Sequence, residues 1–339
     1  MNTYFIKTEV DRIFYSEYLE ERMPSKIFDA HVHINLKSHV EGVTPERIKT
    51  DWALECGIVL PCEDAYACAE ELYPGVEYKI AGMPWPIKEA DLKANNEYLS
   101  QKKSEGKLTP FMSLAPDWDI EETEEFLVNG GFIGFKPYPD MVSGKKGADI
   151  SIFDFITREQ LKLLDKYKRA LMLHLPRKER LADPDNVREL MEIREKYPEI
   201  KIVIAHFGRA FCPYYLEKGL EMMSGAEGFY FDTTGVINPA VYRLAFEKIP
   251  VDKILYGSDM PIFFWHGKRK WTERDYFNLC REDFSWNKHL ESPEEEAKYT
   301  FFLYEQMKSI LDTADEIGFT DREKDKIFYD NLYNLVNNI

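Results

Sequence analysis

The chain has 339 residues, 44% hydrophobic and 14% aromatic, which is material for a sizeable core and a length suited to one α/β barrel carrying insertions. Against 44 Lys and Arg stand 60 Asp and Glu, a formal net charge of −16 that disfavours nonspecific attraction to nucleic acid or to an anionic membrane. The five cysteines form no CxxC pair and read as reduced thiols of a cytoplasmic protein, so any metal must use nitrogen and oxygen ligands.

The first 23 residues alternate charged and apolar positions and contain no signal-peptide core, and no window approaches a membrane span. Short apolar runs then alternate with longer amphipathic ones. The runs that read as buried strands are 26–34, 57–61, 108–114, 132–137, 171–175, 200–206, 228–232 and 254–258. Helical patterns lie between them: "IKEADLKANNEYLSQKKSEG" stops at a glycine, and "DPDNVRELMEIREKYPEI" opens on Asp-Pro and closes before Pro198. Eight such strands with helical connections predict a (β/α)8 barrel, with a doubly wound sheet as the alternative. Residues 262–293 break the rhythm and read as a lid-like loop. Helical pattern returns over 294–339. The expected organisation is a single domain over 1–339, with its barrel core at about 26–261.

The chemistry-bearing residues fall at the ends of these strands. "FDAHVHI" in the first places His31 and His33 on one strand face, about 7 Å apart along the backbone, near enough for both rings to reach one ion. The fourth run contains Lys136, the fifth carries His174, the sixth His206, and "ILYGSDMP" after the last brings Asp259. In a barrel all these ends open on one face, where active sites of the fold lie. Arg177 and Arg209 follow His174 and His206 by three residues, and Lys268, Arg269 and Lys270 follow in the lid. Such cations would form a local anion-binding patch for a substrate carboxylate, or else pair with acids such as Glu179 and Asp183. Trp85, Tyr138, Phe207 and "FFWHGKRKW" could pack a planar substrate or simply anchor loops. Thr233 and Thr234 could offer a hydroxyl, and Cys62 and Cys68 read as structural.

From about residue 26 to 336 the ordered set of "FDAHVHI", "REKYPEIKIVIAHFGRAF", "ILYGSDMP" and "YDNLYNL" resembles the amidohydrolase superfamily, in its amidohydrolase-2-related branch of metal-dependent hydrolases, lactonases and non-oxidative decarboxylases. The resemblance implies that His31, His33, His174 and Asp259 ligate one divalent ion, Zn²⁺ in the first place with Mn²⁺ or another divalent ion as alternative. It implies that His206 and Asp259 are catalytic, handling protons around a water acidified by the ion. Lys136 is read as a cation for the substrate, beside Arg177 and Arg209; a second ion bridged by carbamylated Lys136 is disfavoured. The implied reaction is hydrolysis of an amide, lactone or related carbonyl compound, with decarboxylation of an aromatic or unsaturated acid as the alternative. The expected partner is an anionic small molecule, not nucleic acid or membrane, and the resemblance is compatible with a homo-oligomer.

Overall fold

A computed structural model describes residues 5–145, 149–225 and 227–339. Eight parallel strands follow one another around a barrel in chain order: β1 (Lys26–His33), β2 (Glu77–Met83), β3 (Thr109–Met112), β4 (Gly134–Phe135), β5 (Ala170–Leu173), β6 (Lys201–Ile204), β7 (Phe229–Asp232) and β8 (Ile254–Leu255). The ring closes between the segment after β8 and β1, where Ala30 N–H donates to Tyr256 O, His33 N–H to Met260 O, and Asp259 N–H to His31 O, at 2.8, 2.9 and 2.8 Å. Helices cover the outside, so the protein is a (β/α)8 barrel.

Most strands are shorter than the apolar runs that announced them. The chemistry-bearing residues therefore sit at or just beyond the strand ends, on loops held by rigid neighbours. The close approach of β4 to β5 has a sequence cause: a Cβ at Gly134 would lie 1.9 Å from the Ala170 carbonyl oxygen, so only glycine fits. Asp183 caps the helix Pro184–Lys196 by accepting from the N–H groups of Asp185 and Asn186, as its Asp-Pro opening predicts.

One strand was misplaced. Residues 57–61 lie between the helices Trp52–Cys56 and Cys62–Leu72 and meet the segment just after β1 at Asn35, through an antiparallel bridge with Leu60 and a hydrogen bond from the Asn35 amide to the Ile58 carbonyl. The second strand is instead Glu77–Met83, whose outer half is charged and partly exposed and whose inner half is buried. Its polar entry hid it. The lid-like stretch also has structure: β9 (Gly267–Trp271) and β10 (Tyr276–Cys280) form an antiparallel hairpin, with Arg269 opposite Asn278. Along β9 the side chains alternate, with Arg269 buried and Lys270 exposed.

At the C-terminal end, the helix Phe302–Ile317 is followed by Asp321–Asp325, a π-helical turn Lys326–Asp330 and the helix Asn331–Asn337. Asn331 donates its amide to the carbonyls of Val251 and Ile254, tying this segment to the base of β8. No helix among the described residues is long and apolar enough to cross a membrane. None of the five cysteines forms a disulfide and all are buried, Cys62 and Cys68 within the helix Cys62–Leu72.

Candidate active site

His31 and His33 end β1 inside the barrel mouth. Strict alternation would put Asp29 on the same face, but the register slips between Asp29 and Val32. The Asp29 carboxylate accepts from the N–H groups of His31 and Ser258 and from the Tyr78 hydroxyl, so it braces the strand. Burial pushes its pKa up to about 6 against these hydrogen bonds.

Asp259 reaches the histidines from the loop after β8, in a left-handed backbone conformation with φ of 64°. Its Oδ1 lies 3.5 Å from His31 Nε2 and 3.3 Å from His33 Nε2, is buried, and makes no hydrogen bond. The other ring nitrogens are committed: His31 Nδ1 is 3.0 Å from Asp232 Oδ2, and His33 Nδ1 is 3.0 Å from the Pro84 carbonyl oxygen. Both partners are acceptors, so each Nδ1 carries the proton and each Nε2 presents a lone pair. Burial and the charge of Lys136 hold the His31 pKa below its ordinary value, against Asp259 and Asp232. For Asp259, burial acts upward but is overcome by the fields of His31, His206 and His33, which keep it well below the usual carboxylate range. Three potential ligand atoms within 4.8 Å of one another form a set that a divalent cation satisfies.

His206 stands next to this triad, its ring centroid 5.1 Å from that of His31. Its Nδ1 is 3.0 Å from the Thr234 carbonyl oxygen, which leaves Nε2 as the free basic atom. Burial takes its pKa down to about 4, against Asp259 and Asp232, so the ring is neutral at pH 7. From His206 to Arg209 four successive residues have positive φ, three of them not glycine. Such backbone strain persists where neighbours over-determine it. Here Asp232 does so, accepting from His206 N–H at 2.7 Å and Thr234 N–H at 3.1 Å while also holding the His31 ring. Burial alone would raise Asp232, but His31 and His206 bring it down to about 2. Asp232 was missed in the sequence, although "YFDTTG" shows an acid at the rim end of β7.

His31, His33, His206 and Asp259 line a cavity of about 230 Å³ that also includes Asp51, Trp85, Tyr138, His174, Arg209 and Arg269. The remaining expected site residues divide. His174 lines the cavity but does not join the convergent triad; its ring packs on Tyr138 and His206, at centroid distances of 4.8 and 5.1 Å. Burial, reinforced by Arg209, keeps it neutral. Arg209 lines the cavity, with Nη1 donating to the carbonyls of Leu175, Pro176 and Arg177. Arg177 points elsewhere: both terminal nitrogens donate to Glu189 at 3.0 and 2.8 Å, and it does not line the cavity. Its expected contact with substrate is thus corrected by an ion pair. Lys136 is fully buried and is not among the cavity-lining residues; its Nζ has no hydrogen-bond partner and lies 5.5 Å from the centre of the Tyr138 ring, and burial lowers its pKa to about 8 against the pull of Asp232 and Asp259. Lys268 and Lys270 both pair with Glu291. Phe207 packs against Phe231 and Tyr242, and Thr233 bonds Gly257 N–H, so neither faces the cavity.

A (β/α)8 barrel with histidines and a carboxylate converging at its C-terminal mouth has the architecture of an enzyme. The amidohydrolase family model (Amidohydro_2) matches residues 29–333, and the chain belongs to that family. Among curated proteins none matches the sequence. Similar folds include 5-carboxyvanillate decarboxylase LigW from Sphingomonas paucimobilis, at 13% identity and a TM-score of 0.56 over 92% of this chain and 99% of that one. The 4-oxalomesaconate hydratase LigJ from Rhodopseudomonas palustris is similar at 17% identity and a TM-score of 0.56, over 92% and 96%. So is 5-carboxyvanillate decarboxylase from Novosphingobium aromaticivorans, complexed with manganese and 4-hydroxy-3-methoxy-5-nitrobenzoic acid, at 12% identity and a TM-score of 0.56 over 99% of both chains.

Proposed function

We propose that this amidohydrolase-family protein is a divalent-metal-dependent hydrolase of a small carbonyl compound bearing a carboxylate. The observation that carries the reading is the unbonded Asp259 Oδ1 facing the Nε2 lone pairs of His31 and His33. These three residues would hold the ion, with His174 near enough to the cavity to join on a side-chain shift; Zn²⁺ suits this nitrogen-oxygen set and Mn²⁺ is the alternative. The ion, when bound, supplies Lewis acidity and lowers the pKa of water.

The chain's own residues do the rest. His206, neutral and with Nε2 free, is set to accept a proton at that atom and return it to a leaving group. Arg209, fixed by three carbonyls through Nη1, keeps Nε and Nη2 for a substrate carboxylate. Trp85, with its ring 4.7 Å from that of His33, closes one side of the cavity against water. Five cysteines without a disulfide fit a cytoplasmic setting.

Decarboxylation is the second reading, favoured by the decarboxylases among the similar structures. In that reaction His206 or Asp259 would deliver a proton to the carbon that loses CO₂. The two are separated by running turnover in ¹⁸O-water on candidate carboxylated lactones, amides and phenolic acids. Label in the product without CO₂ release supports hydrolysis; CO₂ without label supports decarboxylation.

Asp232→Asn tests the support behind the triad. Losing the carboxylate that orients His31 is expected to weaken divalent-ion affinity about 10- to 100-fold, read by titration with a competing chelator. Unchanged affinity would mean that His31 does not depend on Asp232.

A further inference from the structure

Arg180, Arg209 and Arg269 carry three guanidinium groups on one side of the site, and none forms an ion pair among the described residues, in a chain with a net charge of −16. Arg269 is 3% exposed and lines the cavity. Its Nη1 donates to the Gly235 carbonyl at 2.7 Å and its Nε to Asn278 Oδ1 at 2.8 Å, while Nη2 is left over. Aromatic rings enclose it, with Cζ 4.4 Å from the centre of Tyr276, 4.8 Å from Phe211 and 4.9 Å from Phe302. Arg180 Cζ lies over the same Phe211 and Tyr276 rings, at 5.5 Å from each, and its Nε and Nη1 are buried without partners. Neutral carbonyls and π-faces compensate a buried charge only in part, so this cluster is incomplete without an anion.

We propose that Arg269, backed by Arg180 and carried by the β9–β10 hairpin, forms a second anion subsite, so that the substrate is a dianion whose two acid groups bind Arg209 and Arg269 separately. The proposal rests on the reading of the site as that of a metal-dependent enzyme with a carboxylate held by Arg209. One monoanion leaves most of the positive charge of three guanidiniums unanswered. Two acid groups on one molecule answer it, and the two arginines are anchored on different elements: Arg209 on the carbonyls after β5, Arg269 on Gly235 and the hairpin. Phe211, whose ring is 6.4 Å from that of His206, lies between the chemistry and Arg269 and would lie along the body of the substrate.

The test is calorimetric titration of the zinc-loaded protein with two matched pairs, butyrate against glutarate and benzoate against isophthalate. At least one diacid is expected to bind 10-fold or more tightly than its monoacid, and Arg269→Gln is expected to bring that diacid down to the monoacid level. Arg269→Lys, which keeps the charge, is expected to retain part of the preference and controls for damage to the hairpin. Equal binding within both pairs, no binding by any of the four, or a preference that survives Arg269→Gln would overturn the proposal. Zinc content, measured on the same samples, separates the two ideas. Stoichiometric metal without diacid preference rejects only the second subsite, whereas failure to retain metal rejects the enzyme reading beneath it.

Discussion

Asp259→Asn is expected to lower turnover by on the order of 10³-fold or more and to leave the purified protein depleted of divalent metal. Asparagine is the informative replacement because it tolerates the left-handed backbone that Asp259 adopts, so the change removes the charge and little else. The carboxylate is the one anionic member of the triad, and its Oδ1 has no other role: it is buried, unbonded, and 3.3–3.5 Å from two ring nitrogens. An amide oxygen there would be a weaker ligand, and an amide nitrogen turned inward would meet two lone pairs. Metal content by elemental analysis and turnover on the accepted substrate read the two effects separately. A variant that kept both would remove Asp259 from the chemistry.

Asp11→Ala is expected to cost about 3–5 kcal/mol of stability, measured by denaturant unfolding, although Asp11 lies far from the cavity. This residue of the N-terminal helix Glu9–Tyr18 is fully buried. Its carboxylate accepts from Thr8 N–H and hydroxyl, from the Thr300 hydroxyl and from Phe301 N–H, and its Oδ2 is 2.9 Å from His266 Nε2. His266 Nδ1 in turn is 2.6 Å from Glu282. An imidazole held between two carboxylates, with Arg281 Nη2 2.9 Å from its Nδ1, thus joins the N-terminal helix, the start of the hairpin and the entrance of the helix Phe302–Ile317. Removing Asp11 leaves Phe301 N–H and His266 Nε2 without their acceptor.

The same cluster sets a pH dependence. Burial acts to raise the Asp11 pKa, but His266 and Thr8 outweigh it and bring it to about 2, below the model-peptide value of 3.8. Its contribution is therefore present above pH 3.8 and is lost as pH falls toward 2. For His266, burial acts downward but Asp11 and Glu282 raise the pKa above 6.5, so its contribution is complete below 6.5 and is lost as pH rises through the folded value. The stability gap between wild type and Asp11→Ala should be widest from about pH 4 to 6.5 and narrow on both sides. A gap independent of pH would show that the cluster's charges do not matter.

Much of this molecule can be read from local pattern, because local pattern is set by local physics. The alternation of buried strands with capped helices announces the barrel, and residues spaced by two on β1 must share a face, which brings His31 and His33 together. Pattern fails where the polarity of a segment is not matched to its neighbours in sequence. Glu77–Met83 begins charged because its outer end is solvated, and β9 reads as a charged loop because Arg269 is buried against partners supplied by other segments.

The amino-acid order by itself determined which groups stand at the strand ends, and therefore which could meet once a barrel closes. Only the tertiary structure decided which of them do. His31, His33 and Asp259 converge, His174 stands one ring away, and Asp232 is drawn in as the anchor of two histidines. The fate of each cation was likewise settled by what lies around it in space: Glu189 takes Arg177, Lys136 is enclosed without a hydrogen-bond partner, and Arg209 and Arg269, with no ion pair among the described residues, line the cavity. A charge's role follows from its partners, and those partners are distant along the chain.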